Sequence, residues 1–338
     1  MNADLLTRAP IALLPVLLFL AGLVQLDGYK LVRMRMMIAL VATGALAAGV
    51  AYVVNNLAFA HFHGSFVTYS RYVSPWIEES LKAALLVFLI RTRRVGLPVD
   101  AGIAGFAIGT GFAVVENLYY LAARPHTVLA VQVIRGFGTA IMHGGTAAIL
   151  AMISNTLYER RPSDGLHLLL PGLLAAVALH TGYNYLLVRP ALATLATLLV
   201  LPFVIYLVFD HSERILRKWI EADLDSDVKR LGAISTGTFL NSPSGRYLQA
   251  LRDRFEGEQL ADMLCYLRVH GELAVRAKGV LLLREAGMPD LPIDAETGAK
   301  LAELGQLERA IGKTGMLALR PLMMATGKEI WQLTLLRQ

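Results

Sequence analysis

The sequence predicts an all-α protein: a polytopic transmembrane helix bundle of about seven spans, followed by a soluble, helical C-terminal domain. Three observations carry that expectation. The chain of 338 residues is 55% hydrophobic and 17% charged, whereas an ordinary soluble domain is about 25% charged. The charge is unevenly spread: residues 1–210 hold 14 basic and 9 acidic side chains, while residues 211–338 hold 18 and 17 in a much shorter stretch. The charge-poor part is also a succession of apolar runs, each near the ~20 residues an α-helix needs to cross hydrocarbon. The same composition excludes a disordered chain. A single cysteine, Cys265, excludes a disulfide framework and a cysteine-ligated zinc finger. The net charge of +6 gives no argument for nucleic acid, because the excess lies mainly in the membrane part.

The apolar runs fall near 10–27, 36–60, 68–90, 98–122, 128–156, 166–188 and 190–210. Val188-Arg189-Pro190 joins the last two as a tight hairpin. The leader Met1–Pro10 has one basic and one acidic residue, and no small-residue cleavage site follows before Asp27. The first run therefore reads as a retained helix rather than a signal peptide. Basic residues in short loops set orientation. Lys30, Arg33, Arg35, Arg91, Arg93, Arg94, Arg160, Arg161, Arg214, Arg217 and Lys218 fall on one side, against Arg8, Arg71, Arg124 and Arg189 on the other. The expectation is a multi-pass cell-membrane protein with its N-terminus outside and residues 211–338 in the cytoplasm. In that tail Tyr247–Arg254, Gln259–Arg284 and Ala299–Ile311 carry apolar residues at helical spacing. Thr236–Ser244 and Gly287-Met288-Pro289 are breaks. The tail is long enough for its own core and for a cytoplasmic partner, and contains no catalytic motif.

Ionisable residues at bilayer depth cost about 2.5–3.5 kcal/mol each on insertion scales, so they mark function by default. Here seven fall in four consecutive spans: Glu78, Glu79 and Lys82, then Glu116, then Arg135 and His143, then His180. Glu78 and Lys82, Phe112 and Glu116, and His180 and Asn184 are each four apart and share a helix face. At about 1.5 Å per residue from the cytoplasmic ends, Glu78 and Glu79 lie roughly 18–20 Å deep, His143 and His180 roughly 21 Å, and Glu116 near 27 Å. Helices of alternating direction thus bring these side chains to nearly one level. A lone Glu–Lys pair would serve helix packing, Arg135 would neutralise Glu116 or snorkel, and the many glycines would permit close helix approach. Two adjacent acids, a third acid and two histidines exceed what one lysine and one arginine neutralise.

A carboxylate beside histidines in a dry, enclosed site can activate water for attack on a carbonyl, which suits Glu78 or Glu79 with Lys82 as charge partner. A histidine or asparagine at the same depth can stabilise the oxyanion. The same residues could instead ligate zinc, with His143, His180 and Glu79 as the ligand set. There is no HExxH, so any metal site is assembled across helices.

These residues also carry a resemblance. Glu78-Glu79-x-x-Lys82, Phe112-x-x-x-Glu116-Asn117, His143 and His180-x-x-x-Asn184, each on its own span and in this order, resemble the PrsW family of intramembrane proteases. That family is distantly similar to the CAAX prenyl endopeptidases, which share the double glutamate and the late His-x-x-x-Asn. Glu116 stands where those relatives carry a histidine, which points away from prenyl-protein processing. The resemblance covers about residues 70–190. It implies hydrolysis of peptide bonds within the membrane, of transmembrane protein substrates that in bacterial examples are anti-sigma factors. It also implies a site of Glu78, Glu79, Lys82, Glu116, Asn117, His143, His180 and Asn184, in a family classed as metallopeptidase.

Two other classes compete. Intramembrane Glu, Lys and His also build the proton relays of transporters, although no internal repeat or pair of broken helices is visible. A non-enzymatic sensor would use the polar core only to couple membrane and tail.

Overall fold

The computed structural model describes residues 3–124, 127–160, 165–186, 189–288, 294–323 and 327–336. Arg161, Val188 and Pro289 lie outside them. Every regular element among the described residues is helical. The chain forms two compact units, Met1–Ser212 and Glu213–Gln338.

The first unit opens with α1 (Ala3–Leu26) and α2 (Met34–Ala60), joined by a turn in which the Asp27 carboxylate accepts from the Leu31 N–H at 2.6 Å. The run expected over 68–90 is two helices, α3 (Phe66–Tyr72) and α4 (Ser74–Arg91). Ser65 caps α3 by accepting from the Thr68 N–H. Pro75 lies in the first turn of α4, where its missing N–H is harmless, and proline disfavours continuing a helix through the residue before it. Among the described residues six helices are long and apolar enough to cross a membrane: Arg8–Leu26, Met34–Ala60, Pro98–Ala123, Leu129–Glu159, Leu166–Tyr185 and Pro190–Ser235. The expected run not among them is the third, 68–90; its longer helix, α4, has 18 residues, about 27 Å, and carries Glu78, Glu79 and Lys82.

At the centre of this unit is α5 (Pro98–Ala123), most of it buried. Its N-terminus is fixed by Asp100, whose carboxylate accepts from the Gly96 and Leu97 N–H groups at 2.9 and 2.7 Å. A Cβ on Gly109 would run into the backbone carbonyl of His143, and one on Gly111 into that of Val41. These positions let α5 lie directly against its neighbours. The next span is interrupted: α6 (Leu129–Ile134), a π-helical turn over Arg135–Thr139, then α7 (Ala140–Arg160). A short 3₁₀ turn leads into α8 (Leu170–Leu186), and α9 (Pro190–Ser235) is one 46-residue helix. The expected tail start at residue 211 therefore lies inside a helix rather than at a break. Large apolar side chains such as Leu18, Ile38, Leu46, Leu57 and Phe203 stay more than half exposed, as lipid-facing residues should.

In the second unit α9 ends at Ser235 before Gly237, whose φ of 72° is left-handed and suits glycine. There follow α10 (Pro243–Ala250), α11 (Gly257–Glu285), α12 (Ala295–Leu319) and α13 (Gly327–Leu335). The expected helices over Gln259–Arg284 and Ala299–Ile311 fall within α11 and α12, whereas the one expected over Tyr247–Arg254 is α10 ending at Ala250, followed by a 3₁₀ turn over Leu251–Asp253. Phe239, Met263, Leu267, Leu273, Ile311 and Leu319 form the core.

Candidate active site

Four helices meet around one buried polar cluster. Glu79 and Lys82 of α4 are fully buried. Lys82 Nζ donates to Glu79 Oε1 at 2.7 Å and bonds His143 Nδ1 at 3.0 Å, with the Phe112 ring 4.6 Å away. His143 Nε2 lies 2.6 Å from Glu116 Oε2. His180 Nδ1 lies 2.8 Å from Glu79 Oε1, and its Nε2 lies 3.9 Å from Glu78 Oε2. The two imidazoles stand edge to face at 4.9 Å.

The donors assign the tautomers. A lysine ammonium only donates and a carboxylate only accepts. His143 therefore accepts at Nδ1 and carries its proton on Nε2, toward Glu116. His180 donates from Nδ1 to Glu79, so that as a neutral imidazole it presents the Nε2 lone pair toward Glu78 Oε2.

The π turn explains how Glu116 gains two partners from one helix. In a regular α-helix Arg135 and His143, eight residues apart, would be offset by about 80°. The turn absorbs one residue, with the Ala140 N–H reaching back to the Arg135 carbonyl, and the offset falls to about 20°. Both side chains then address one carboxylate: Arg135 Nη2 donates to Glu116 Oε1 at 3.0 Å while His143 holds Oε2. The guanidinium also stacks on Tyr120, 3.8 Å from its ring centroid. Of the two expected roles for Arg135, neutralising Glu116 is the one seen.

Residues 33–209 match the sequence model of the PrsW family of intramembrane metalloproteases. The chain belongs to that family. No curated protein matches it, and no solved structure does. The PrsW match spans α2 to the first part of α9 and stops short of the second unit, so the polar cluster belongs to the family part of the chain.

The donor set suits the metal that a PrsW metalloprotease implies. Among the described residues Glu78, His143 and His180 offer one ligand atom each, all within 4.8 Å of one another. Two imidazoles and a carboxylate make a catalytic zinc set. With a neutral imidazole, His180 Nε2 and Glu78 Oε2 face each other as two acceptors 3.9 Å apart, an arrangement that a cation would relieve. The Glu79 carboxylate behind His180 Nδ1 is the kind of outer partner that orients a ligating histidine. His143, with both nitrogens hydrogen-bonded, would have to release one of those partners to hold a metal. The carboxylate grouped with the histidines is thus Glu78, where the sequence reading named Glu79. Glu79 holds Lys82, His180 and Thr146 on Oε1, and its Oε2 is buried with no partner.

The two asparagines of the PrsW-like motifs sit elsewhere. Asn117 donates to the Ala12 carbonyl of α1 at 2.8 Å and reaches the Arg135 carbonyl at 3.5 Å, tying α1 and the π turn to α5. Asn184 donates to the Ser70 carbonyl at 3.0 Å, holding α3 against α8. Neither is hydrogen-bonded to the Glu–His cluster. Sequence reasoning missed Thr146, Ser74 and Asn55. Thr146 lies three residues after His143 and Ser74 four before Glu78, same-face spacings that could have flagged both. Asn55 comes from α2 and had no such signal.

Proposed function

We propose that this protein is an endopeptidase that hydrolyses peptide bonds of membrane-embedded protein substrates, with a zinc ion held by Glu78, His143 and His180. The observation that carries the reading is the imbalance at Glu79. Three donors crowd Oε1 while buried Oε2 accepts nothing, and a buried acceptor without a partner calls for a ligand or a role.

A zinc ion in that set supplies the Lewis acidity that polarises a peptide carbonyl. The remaining work falls to the protein. Lys82 and Thr146 pin Glu79 so that Oε2 stays free. As the water oxygen bonds the carbonyl carbon, its proton passes to Glu79 Oε2. When the C–N bond breaks, the same proton goes to the departing nitrogen. Glu116, clamped by Arg135, keeps His143 in place. Catalysis is assigned to residues 1–210, because every motif side chain lies between Glu78 and Asn184. Residues 211–338 are left as a separate helical domain open to a cytoplasmic partner.

The loop charges support an N-terminus outside, which places the site roughly 20 Å from the cytoplasmic boundary of a core about 30 Å thick. Cleavage then falls near the outer end of a substrate transmembrane segment, where small or helix-breaking residues ease local unwinding. Detergent-purified protein should contain about one zinc per chain, less in His180→Ala, and chelation should abolish cleavage of a transmembrane reporter. Full activity in chelator would refute the metal reading. Product termini on the cytoplasmic side, with the Arg91–Arg94 loop labelled from the cytoplasm, would refute the depth.

A further inference from the structure

We propose that Ser74, backed by Asn55, is the positioning device that makes Glu78 a metal ligand; this rests on the reading of Glu78 as part of the metal set. Glu78 and Glu79 are adjacent on one helix, yet their carboxylates are held by different partners. Glu78 Oε1 accepts from Ser74 Oγ at 2.6 Å and from Asn55 Nδ2 at 3.4 Å. With that oxygen engaged, Oε2 is the one turned toward His180 Nε2, 3.9 Å away. The 2.6 Å bond is a hydroxyl donating to a carboxylate, a short and strong class.

Nothing else accounts for the Ser74 hydroxyl. It sits at the start of α4, where serines usually cap, but the N-cap position is Val73 and no side chain caps this helix. The hydroxyl turns instead to a residue four positions on, along the same face. Asn55 is itself oriented. Tyr69 OH donates to Asn55 Oδ1 at 2.9 Å and to its backbone carbonyl at 3.0 Å, so the amide oxygen faces Tyr69 and the NH₂ faces Glu78. The chain Tyr69, Asn55, Glu78 thus runs from α3 through α2 to α4. It brings in two helices that contribute none of the Glu, Lys or His groups of the site. Ser74 and Asn55 touch Glu78 and are not themselves in the ligand set, which makes them positioning residues.

The test uses full-length protein in detergent, with zinc affinity read by competition against a chromophoric chelator and turnover of a transmembrane reporter measured in parallel. Ser74→Ala should bind zinc 10–100-fold more weakly, the usual loss for an outer partner of a ligand, and Ser74→Thr should restore it. Turnover of Ser74→Ala should return toward wild type as zinc is raised to saturation, with KM unchanged, because the ligands remain. Asn55→Leu should weaken zinc by a smaller factor, as its longer bond implies. Ser74→Ala leaves α4 its backbone hydrogen bonds, and Asn55→Leu supplies a second, independent reading. If Glu78→Gln loses zinc but Ser74→Ala binds as tightly as wild type, the positioning proposal is overturned and the metal reading stands. If Glu78→Gln binds zinc as tightly as wild type, Glu78 is no ligand and both fall.

Discussion

Among the described residues two lysines are fully buried, one in each unit, and their surroundings differ in a way that separates structure from chemistry. In the second unit Lys278 Nζ sits between Asp223 at 2.6 Å and Asp227 at 2.5 Å, four residues apart on one face of α9, with Trp219 alongside. No side-chain atom of that trio is buried without a partner. In the first unit Lys82 holds Glu79 and His143, but around that pair stand Glu78, Glu116 and His180, and Glu79 Oε2 is left with no partner. A buried ion pair whose donors and acceptors close on each other holds helices together. One that leaves a buried acceptor open keeps a place for a proton or a ligand. Hydrocarbon makes the second arrangement costly to maintain, which is why it signals function.

The sharpest way to break that comparison is to remove the open acceptor. Glu79→Gln preserves size but not the base, so reporter cleavage should fall about 10²–10⁴-fold while the protein still inserts and purifies. Full cleavage would put the membrane cluster on the same footing as the tail's. The converse experiment is Lys278→Met, which strands two carboxylates and should destabilise the tail by about 3–5 kcal/mol. Amide exchange along α11 of the full chain would read this, and adding Asp223→Asn and Asp227→Asn should recover most of the loss.

A pH titration sharpens the tail side. Burial holds the His270 imidazole down to about 4, with Asp227 opposing and Arg230 and Lys278 reinforcing. Its folded value lies below the unfolded one of about 6.5, so the unfolded chain takes up the proton first. Stability is therefore full above about pH 6.5 and drains away as pH falls toward 4, by about 3 kcal/mol in all. The difference in α11 exchange between wild type and His270→Gln should show that window; a pH-independent difference would contradict it. The smallest effect tests the frame of the membrane site. Gly109→Ala pushes against the His143 carbonyl and should cost about 1–3 kcal/mol, with a measurable drop in cleavage. Gly182→Ala, which meets nothing within 4 Å, should be neutral or slightly stabilising in thermal unfolding.

The membrane class, the helical tail and the grouping of Glu78, Glu79, Lys82, Glu116, His143 and His180 were legible in the sequence. A charge in an apolar run is conspicuous, and rise per residue converts position into depth. For Arg135 the sequence left snorkelling and neutralising Glu116 as alternatives, and only the packed helices select the second. Atomic roles were not legible. Periodicity says that two glutamates share a helix, but not that Ser74 and Asn55 hold the first while Lys82, Thr146 and His180 hold one oxygen of the second. Asn117 and Asn184 fell in the motifs, yet their amides tie α1 and α3 in place, because a motif fixes sequence position and not the direction in which a side chain finds its hydrogen bond. The π turn over Arg135–Thr139 is likewise a tertiary event. One residue is absorbed where two side chains must reach one carboxylate, and no local preference of those five residues required it. Hydrophobic length and helical spacing, being one-dimensional, are set by the chain itself; which oxygen is engaged, which nitrogen is bare and which acceptor is left open are decided only when helices distant in sequence pack within a few ångströms.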